Sequence, residues 1–245
     1  MIVGLKFFPD SIDVARKLQH DADYFEIMAK RSERKIIESF QGLNAPVMVF
    51  HTEHMLFGVN AADRKKREHN MEAVRFAQEM ADQFGSRFII VHPGIKGDMY
   101  SMDNIIDFFK DLDDKRIITE NMPYIGDFKG LDLETFGRLP EEMRIITKSA
   151  GIGFCLDFEH MWAASFGYNM DPVELAREFI GMRPAMYHMA DSIMGRNTDS
   201  HLNIGDGDAD IRLYKSMIPD TAMISLETHP DPKKMLNDLK FMEGS

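Results

Sequence analysis

Cysteine is almost absent from this chain of 245 residues, in which Cys155 is the only one. No disulfide can therefore form within the chain. Because Cys155 lies in an apolar run, residues 152–156, we expect a buried and inert thiol. The sequence also lacks the stretch of about 20 apolar residues that a membrane-spanning helix requires. No basic segment precedes an apolar one at the N-terminus, so we expect no signal peptide and a cytoplasmic protein.

Basic residues are fewer than acidic ones. The chain has 29 Lys and Arg residues against 40 Asp and Glu residues, which gives a formal net charge of −11. A protein that binds nucleic acid with its whole surface is normally basic, so the composition disfavours that class. It still allows a local basic site or a metal-lined cleft that handles phosphates.

A Gly-x-Gly-x-x-Gly motif after the first predicted strand is missing, which argues against an open dinucleotide-binding sheet. Short apolar runs instead alternate with amphipathic segments along the whole chain. The predicted strands are residues 2–7, 24–28, 47–51, 88–92, 117–121, 153–157, 186–188 and 223–227. The predicted helices are residues 10–20, 32–40, 61–84, 102–112, 132–150, 171–181, 208–218 and 231–242. This alternation predicts an α/β fold, a (β/α)8 TIM barrel that forms one domain over residues 1–245.

Capping residues support several of the predicted helix starts. Asp171-Pro172 and Asp231-Pro232 each place an N-cap carboxylate before a proline at the first helical position. Asp10 with Ser11, and Ser32, are the expected caps of the first two helices.

Six successive predicted strands end in a side chain that can bind a metal ion. These residues are His51, His92, Glu120, Asp157, His188 and Glu227. In a (β/α)8 barrel the carboxyl ends of the strands meet on one face, where the active site lies. Three more candidates follow in loops: His160, three residues after Asp157, and the pair Asp199 and His201.

Each of these residues taken alone is expected to be structural, as a hydrogen-bonded histidine or a helix-capping carboxylate. Crowded together, they would repel one another or lack partners unless a cation neutralised them. Imidazole with carboxylate is the ligand set of zinc, and also of manganese or iron. The pattern therefore predicts a divalent metal site.

These motifs resemble those of the xylose-isomerase-like barrel superfamily and, within it, the endonuclease IV (apurinic/apyrimidinic endonuclease) family. The resemblance covers nearly the whole chain. It rests on His92-Pro93-Gly94, Glu120-Asn121, Leu156-Asp157-Phe158-Glu159-His160, His188-Met189-Ala190-Asp191-Ser192, the segment 199–207 and Glu227-Thr228-His229-Pro230. It implies up to three zinc ions held by nine ligands, with manganese or magnesium as alternatives. The matching residues are His51, His92, Glu120, Asp157, His160, His188, Asp199, His201 and Glu227.

Part of this ligand set is shared more widely. Glu120, Asp157, His188 and Glu227 recur in sugar isomerases and epimerases of the superfamily, whereas the full set of nine favours endonuclease IV. The chain also departs from that family. Residues 122–125 replace a Gly-rich stretch, His54 stands where a tyrosine is expected, and the chain is shorter than typical members. The altered loops are those that would contact DNA.

The resemblance implies a zinc-dependent hydrolase of DNA repair that cleaves DNA at abasic sites with metal-activated water. Glu120 would bridge two ions and orient the nucleophile, while His51 and His92 would hold the more exposed ion. The first alternative is a sugar isomerase or epimerase in which Glu120 and Glu227 move protons at carbon. A barrel that binds metal or ligand without turnover is the second. The expected partner is thus abasic DNA or a small sugar.

A basic segment follows the second predicted strand and contains Lys30, Arg31, Arg34 and Lys35. The resemblance places it in a loop that contacts DNA, so Lys30, Arg31 and Arg34, together with His54, are predicted substrate-binding residues. The alternative is a solvated helix start, because Glu33 and Glu38 interrupt the charge. A second basic run, residues 64–67, is expected to be an exposed helix face.

Overall fold

The computed structural model describes residues 1–127 and 130–244, without the side chain of Asp127. Eight parallel strands close into a barrel, and two more form a separate antiparallel hairpin. In chain order they are β1 (Ile2–Phe7), β2 (Tyr24–Ala29), β3 (Val47–Thr52), β4 (Phe88–Val91), β5 (Ile117–Glu120), β6 (Ile125–Asp127), β7 (Asp132–Glu134), β8 (Gly153–Asp157), β9 (Met186–Met189) and β10 (Met223–Leu226). The β6–β7 pair is the hairpin, and β1 pairs with both β2 and β10 to close the ring. The predicted (β/α)8 barrel is confirmed, whereas the extent of the domain, 1–245, stays a prediction.

Helices surround the barrel. They are α1 (Ile12–Leu18), α2 (Arg34–Glu38), α3 (Arg67–Phe84), α4 (Met102–Lys110), α5 (Pro140–Ala150), α6 (Phe158–Gly167), α7 (Pro172–Gly181), α8 (Ile211–Met217) and α9 (Pro232–Glu243). Short 3-10 turns cover Pro9–Ser11, Arg31–Glu33, Ser39–Gly42, Met55–Phe57 and Arg64–Lys66. Among the residues described here, no helix is both long and apolar enough to cross a membrane.

Capping explains two of the helix starts. Asp171 and Asp231 accept hydrogen bonds from the backbone of the first turns of α7 and α9, each ahead of a proline, as predicted. The N-cap position predicted for Ser11 is confirmed, whereas those predicted for Asp10 and Ser32 are wrong. Ser11 is the N-cap of α1 but its side chain makes no capping bond, and Glu33 occupies the N-cap of α2.

One predicted helix, after β5, starts later than expected, and one helix, after β8, was not predicted. The helix expected over 132–150 begins only at Pro140, because Asp132–Glu134, in which Leu133 alternates with acidic residues, forms the hairpin strand β7 instead. Gly137, with a φ of +82°, separates strand from helix. Helix α6 was not predicted, since it is buried on nearly all sides and lacks an amphipathic pattern.

The barrel interior is apolar at one end and polar at the other. Its apolar layer comprises Tyr24, Val49, Ile90, Ile118, Cys155, Met186 and Met223. Cys155 is buried in this layer, as expected. Gly4 makes room for the Tyr24 ring, which lies only 2.5 Å from where a Cβ at Gly4 would stand. Beyond this layer, towards the carboxyl ends of the strands, the interior side chains become polar and form the site.

Candidate metal centre

The nine predicted ligands come together in three groups at the carboxyl end of the barrel. The groups are His51, His92 and Glu120; Glu120, Asp157, His188 and Glu227; and His160, Asp199 and His201. Within each group one ligand atom from every residue lies within 4.8 Å of the others. We refer to them as the first group, the quartet and the loop group. Residues far apart in the sequence therefore converge as the barrel topology predicts, although their role as ligands stays a prediction.

Glu120 joins the first group to the quartet. Its Oε2 lies 3.2 Å from His51 Nε2 and 3.1 Å from His92 Nε2, and these two nitrogens are 3.0 Å apart. Its Oε1 lies 3.2 Å from His188 Nδ1. Each oxygen of this buried carboxylate thus faces a different group, which is the placement that a bridging ligand requires.

The quartet surrounds His188 Nδ1. Besides Glu120, this nitrogen lies 3.1 Å from Glu227 Oε2 and 3.6 Å from Asp157 Oδ2. The second oxygen of Asp157 caps α6 by accepting a hydrogen bond of 2.8 Å from the backbone of His160. One aspartate therefore orients both the quartet and the helix that carries a loop-group histidine.

The loop group depends on the segment after β9. Asp199 Oδ2 lies 2.8 Å from His201 Nε2 and 3.6 Å from His160 Nε2. Asp191 holds the segment by accepting hydrogen bonds from the backbone of Gly205 and Gly207. Gly207 is required there, because a Cβ would stand 2.4 Å from the carbonyl oxygen of Ser192.

Three of the histidines present one ring nitrogen to the centre while the other faces an acceptor outside it. The acceptors are Thr52 O at 2.8 Å from His51 Nδ1, Asn121 O at 2.8 Å from His160 Nδ1 and Glu26 Oε2 at 2.9 Å from His188 Nε2. Carbonyl and carboxylate oxygens only accept, so the outer nitrogen carries a proton, and the inner nitrogen is the one that would offer its lone pair to a bound metal ion. This arrangement is typical of metal-binding histidines, and the donor set fits divalent ions.

The electrostatics of the centre also fit a bound cation. Burial lowers the pKa of His160, but Asp157, Asp199 and Glu120 outweigh burial and raise it to about 10. Burial would raise the pKa of Glu120, yet His188, His51 and His92 hold it well below its usual value. His92 is neutral, because burial lowers its pKa to about 4. The carboxylates thus recruit protons that metal ions would replace.

Three residues at the centre were missed from the sequence: Lys6, Glu26 and Glu159. Lys6 Nζ donates a hydrogen bond of 2.6 Å to Glu227 Oε2 and lies 3.7 Å from Glu26 Oε1. Lys6 and Glu26 are charged residues inside apolar strand runs, and that pattern could have identified them. Glu159 lies inside the unpredicted helix α6, where it is buried and accepts hydrogen bonds from the backbone of Ser200 and His201.

The side chains of the basic segment lie at the rim, and carboxylates already pair with three of them. Arg31 pairs with Glu53 at 2.7 Å. Arg34 forms two bonds of 2.6 Å with Glu79, and Lys30 pairs with Glu33. Lys35 is exposed. A role in substrate binding stays a prediction for each of them.

His54 lines the central cavity rather than the outer rim. Its ring stacks on that of His92 with centroids 5.3 Å apart. Burial, together with His92 and His51, lowers the pKa of His54 well below its usual value, so the ring is neutral.

The cavity above the candidate metal centre is small and partly covered. It has a volume of about 190 Å³, and Met122, Pro123 and Gly126 form part of its wall. The β6–β7 hairpin is tied on one side by Ile125 N donating to Asn197 O at 3.0 Å, and on the other by Lys96 N donating to Glu134 O at 2.6 Å. The residues that depart from the endonuclease IV pattern, 122–125, thus lead into a structured cover.

Comparison with known proteins gives both a family and a fold. The model of the xylose isomerase-like TIM barrel family matches residues 10–244. Over 167 residues the chain is 31% identical to a protein of Thermoplasma acidophilum named "Probable endonuclease 4". That match covers 63% of this chain and 57% of the relative, so the chain spans little more than half of the relative's length.

Two solved structures are similar over nearly their whole length. A D-tagatose 3-epimerase-like protein has a TM-score of 0.74 at 22% identity, covering 100% of this chain and 96% of that one. Endonuclease IV from Thermus thermophilus has a TM-score of 0.69 at 18% identity, covering 100% and 98%. At these identities the likeness shows the fold alone.

Proposed function

This chain belongs to the xylose isomerase-like TIM barrel family, and we propose that it is a divalent-metal-dependent phosphodiesterase resembling endonuclease IV. The proposal includes zinc as the metal and duplex DNA with an abasic site as the substrate. One observation carries it: nine side chains converge in three groups, two of which share Glu120. An isomerase needs only the quartet, so the remaining ligands would be surplus to it. Those residues are His51, His92, His160, Asp199 and His201.

Charge at the centre supports more than one metal ion. Six carboxylates lie there, those of Glu26, Glu120, Asp157, Glu159, Asp199 and Glu227, against one ammonium group, that of Lys6. When the histidines are counted as neutral, the form in which they bind metal, these groups carry five net negative charges before any ion is added. One divalent ion would leave three negative charges, whereas three such ions would leave one positive charge. Only the fully loaded centre attracts an anionic substrate.

The three groups would each hold one ion, with Glu120 shared by two of them. Bound divalent ions supply Lewis acidity, which activates water and stabilises the negative charge of a phosphate ester. The chain itself contributes orientation. Glu120 faces two groups at once, and Lys6 binds Glu227 and adds a fixed positive charge to the cavity wall. No side-chain nucleophile is required.

A sugar isomerase or epimerase is the second candidate, favoured by the cover over the cavity. A volume of about 190 Å³ suits a small molecule, and a duplex would need the β6–β7 hairpin or its neighbours to move. In this reaction Glu120 and Glu227 would flank the substrate and transfer protons at carbon.

Metal analysis and a panel of substrates test the two candidates together. We expect protein purified without added metal to contain three zinc ions per chain, to nick an abasic duplex, to lose activity on strong chelation and to regain it with zinc. An intact duplex without an abasic site is the control substrate. Epimerisation of ketoses, with no nicking at high enzyme concentration, would contradict the phosphodiesterase and favour the isomerase.

One variant separates the candidates further. His92→Asn removes a first-group ligand and leaves all four quartet residues in place. A phosphodiesterase should then lose most of its activity, whereas an isomerase that uses only the quartet should retain it.

A further inference from the structure

Glu26 is a fully buried carboxylate beneath the quartet and is not itself a member of any ligand group. Its Oε2 accepts a hydrogen bond of 2.9 Å from His188 Nε2 and one of 2.6 Å from Ser225 Oγ. Its Oε1 lies 3.7 Å from Lys6 Nζ. A buried carboxylate costs free energy unless it is paired and hydrogen-bonded, so its partners indicate what it does.

The partners of Glu26 form a directed chain of hydrogen bonds across the barrel interior. Ser225 has one hydroxyl proton and donates it to Glu26, so Tyr24, whose hydroxyl lies 2.9 Å from Ser225 Oγ, must donate to Ser225. The order is therefore Tyr24 to Ser225 to Glu26, with His188 donating to Glu26 from the other side. Ser225 thus fixes the carboxylate of Glu26, and Glu26 fixes the ring of His188.

This contact decides which nitrogen of His188 can bind a metal ion. A carboxylate only accepts, so Nε2 carries a proton, and Nδ1, which lies 3.1 Å from Glu227 and 3.2 Å from Glu120, is the nitrogen left to bind a metal ion among the quartet oxygens. Without Glu26 the ring could place its proton on Nδ1 and donate to either of these carboxylates. That tautomer cannot ligate through Nδ1.

We propose that Glu26 is a positioning residue that holds His188 in the tautomer and orientation that bind metal through Nδ1. Lys6 lies between Glu26 and Glu227 and offsets the charge of both. The inference rests on the metal binding in the proposed function but not on the identity of the substrate.

The test compares Glu26→Gln and Glu26→Ala with the wild type. Glutamine can still accept from His188 Nε2 through its amide oxygen, whereas alanine leaves that N–H without a partner. We expect Glu26→Ala to weaken the quartet's zinc affinity about 10- to 100-fold, measured by competition with a chromophoric chelator. Glu26→Gln should lie between Glu26→Ala and the wild type. The visible spectrum of the cobalt-loaded protein should change most in Glu26→Ala, because the geometry of one ligand changes.

Glu53→Gln is the matched control. Glu53 is also buried near the carboxyl end of the barrel, but its carboxylate contacts Arg31 and no ligand histidine, so zinc affinity should be unchanged. If Glu26→Ala does not fold, the isosteric Glu26→Gln decides the question. If the folded Glu26 variants bind zinc with wild-type affinity and show an unchanged cobalt spectrum, the inference about Glu26 is wrong and the proposed function is unaffected. A wild type that binds no metal would overturn the proposed function as well.

Discussion

Lys6, near the end of the first strand, donates a hydrogen bond of 2.6 Å to Glu227, which directly follows the last strand. The pair spans the seam where β1 and β10 close the barrel. Burial lowers the pKa of Lys6, but Glu227, Glu26 and Glu120 outweigh burial and hold it above its ordinary value. Lys6 is therefore a permanent cation beside the predicted metal ligands, and it offsets part of their charge.

Replacing Lys6 with methionine should destabilise the metal-free protein. Removing one partner of a buried ion pair leaves a buried charge uncompensated and costs about 3–5 kcal/mol. Divalent ions supply positive charge to the same carboxylates, so zinc should restore stability by a larger increment in Lys6→Met than in the wild type. Urea unfolding with and without zinc measures both effects. Lys96→Met, at a partly exposed pair with Glu142, is the control and should cost less than about 1 kcal/mol.

The variants His188→Ala and Asp157→Asn should lose detectable activity and bind less metal while they remain folded. Both residues belong to the quartet, beyond the apolar layer that fills the barrel. Metal analysis and circular dichroism measure the two properties separately. The exposed His20 supplies the control variant His20→Ala. Loss of soluble protein in both quartet variants would instead assign these residues a structural role.

Alkaline pH should weaken the metal-free protein through His160. Its pKa is about 10 in the folded state and about 6.5 in an unfolded chain, so the folded state binds the proton more tightly. The resulting stability is fully present below pH 6.5 and is lost as the pH rises towards 10. Urea unfolding in the presence of chelator, from pH 6.5 to 10, should show this decline. In His160→Gln the decline should be shallower, and an equal slope in both proteins would contradict the assignment.

The basic segment should matter only if the substrate is a nucleic acid. Replacing Lys30, Arg31, Arg34 and Lys35 with alanine should then weaken binding to an abasic duplex and flatten its salt dependence, because fewer counterions are released. Titrations at several salt concentrations give the slope. Arg87, which precedes β4 at the opposite end of the barrel, supplies the control variant Arg87→Ala. An unchanged slope would mean that the pairs with Glu33, Glu53 and Glu79 are the segment's whole role.

The sequence by itself determined the barrel fold and the convergence of the side chains at the strand ends. Buried parallel strands are short and continuously apolar, so a polar residue at the end of each run, such as His51 or Asp157, is conspicuous. Closure of the barrel then brings the carboxyl ends of the strands to one face, independently of the conformation of the loops. The convergence of the six strand-end side chains therefore follows from periodicity and topology, whereas the positions of Asp199 and His201 depend on the segment after β9.

Only the tertiary structure decided which charges meet. Lys6 and Glu227 lie 221 residues apart, and Glu26 and His188 lie 162 apart, so no local pattern pairs them. The same holds for Arg34 and Glu79. Their ion pair neutralises one positive charge of a segment that is basic in the sequence. The β6–β7 hairpin could not be predicted from the sequence, because strands of three residues are too short to show an alternation of apolar and polar side chains. Its position over the cavity depends on contacts with loops that follow other strands. Charge pairing and loop packing depend on distances in space, which one-dimensional periodicity does not encode.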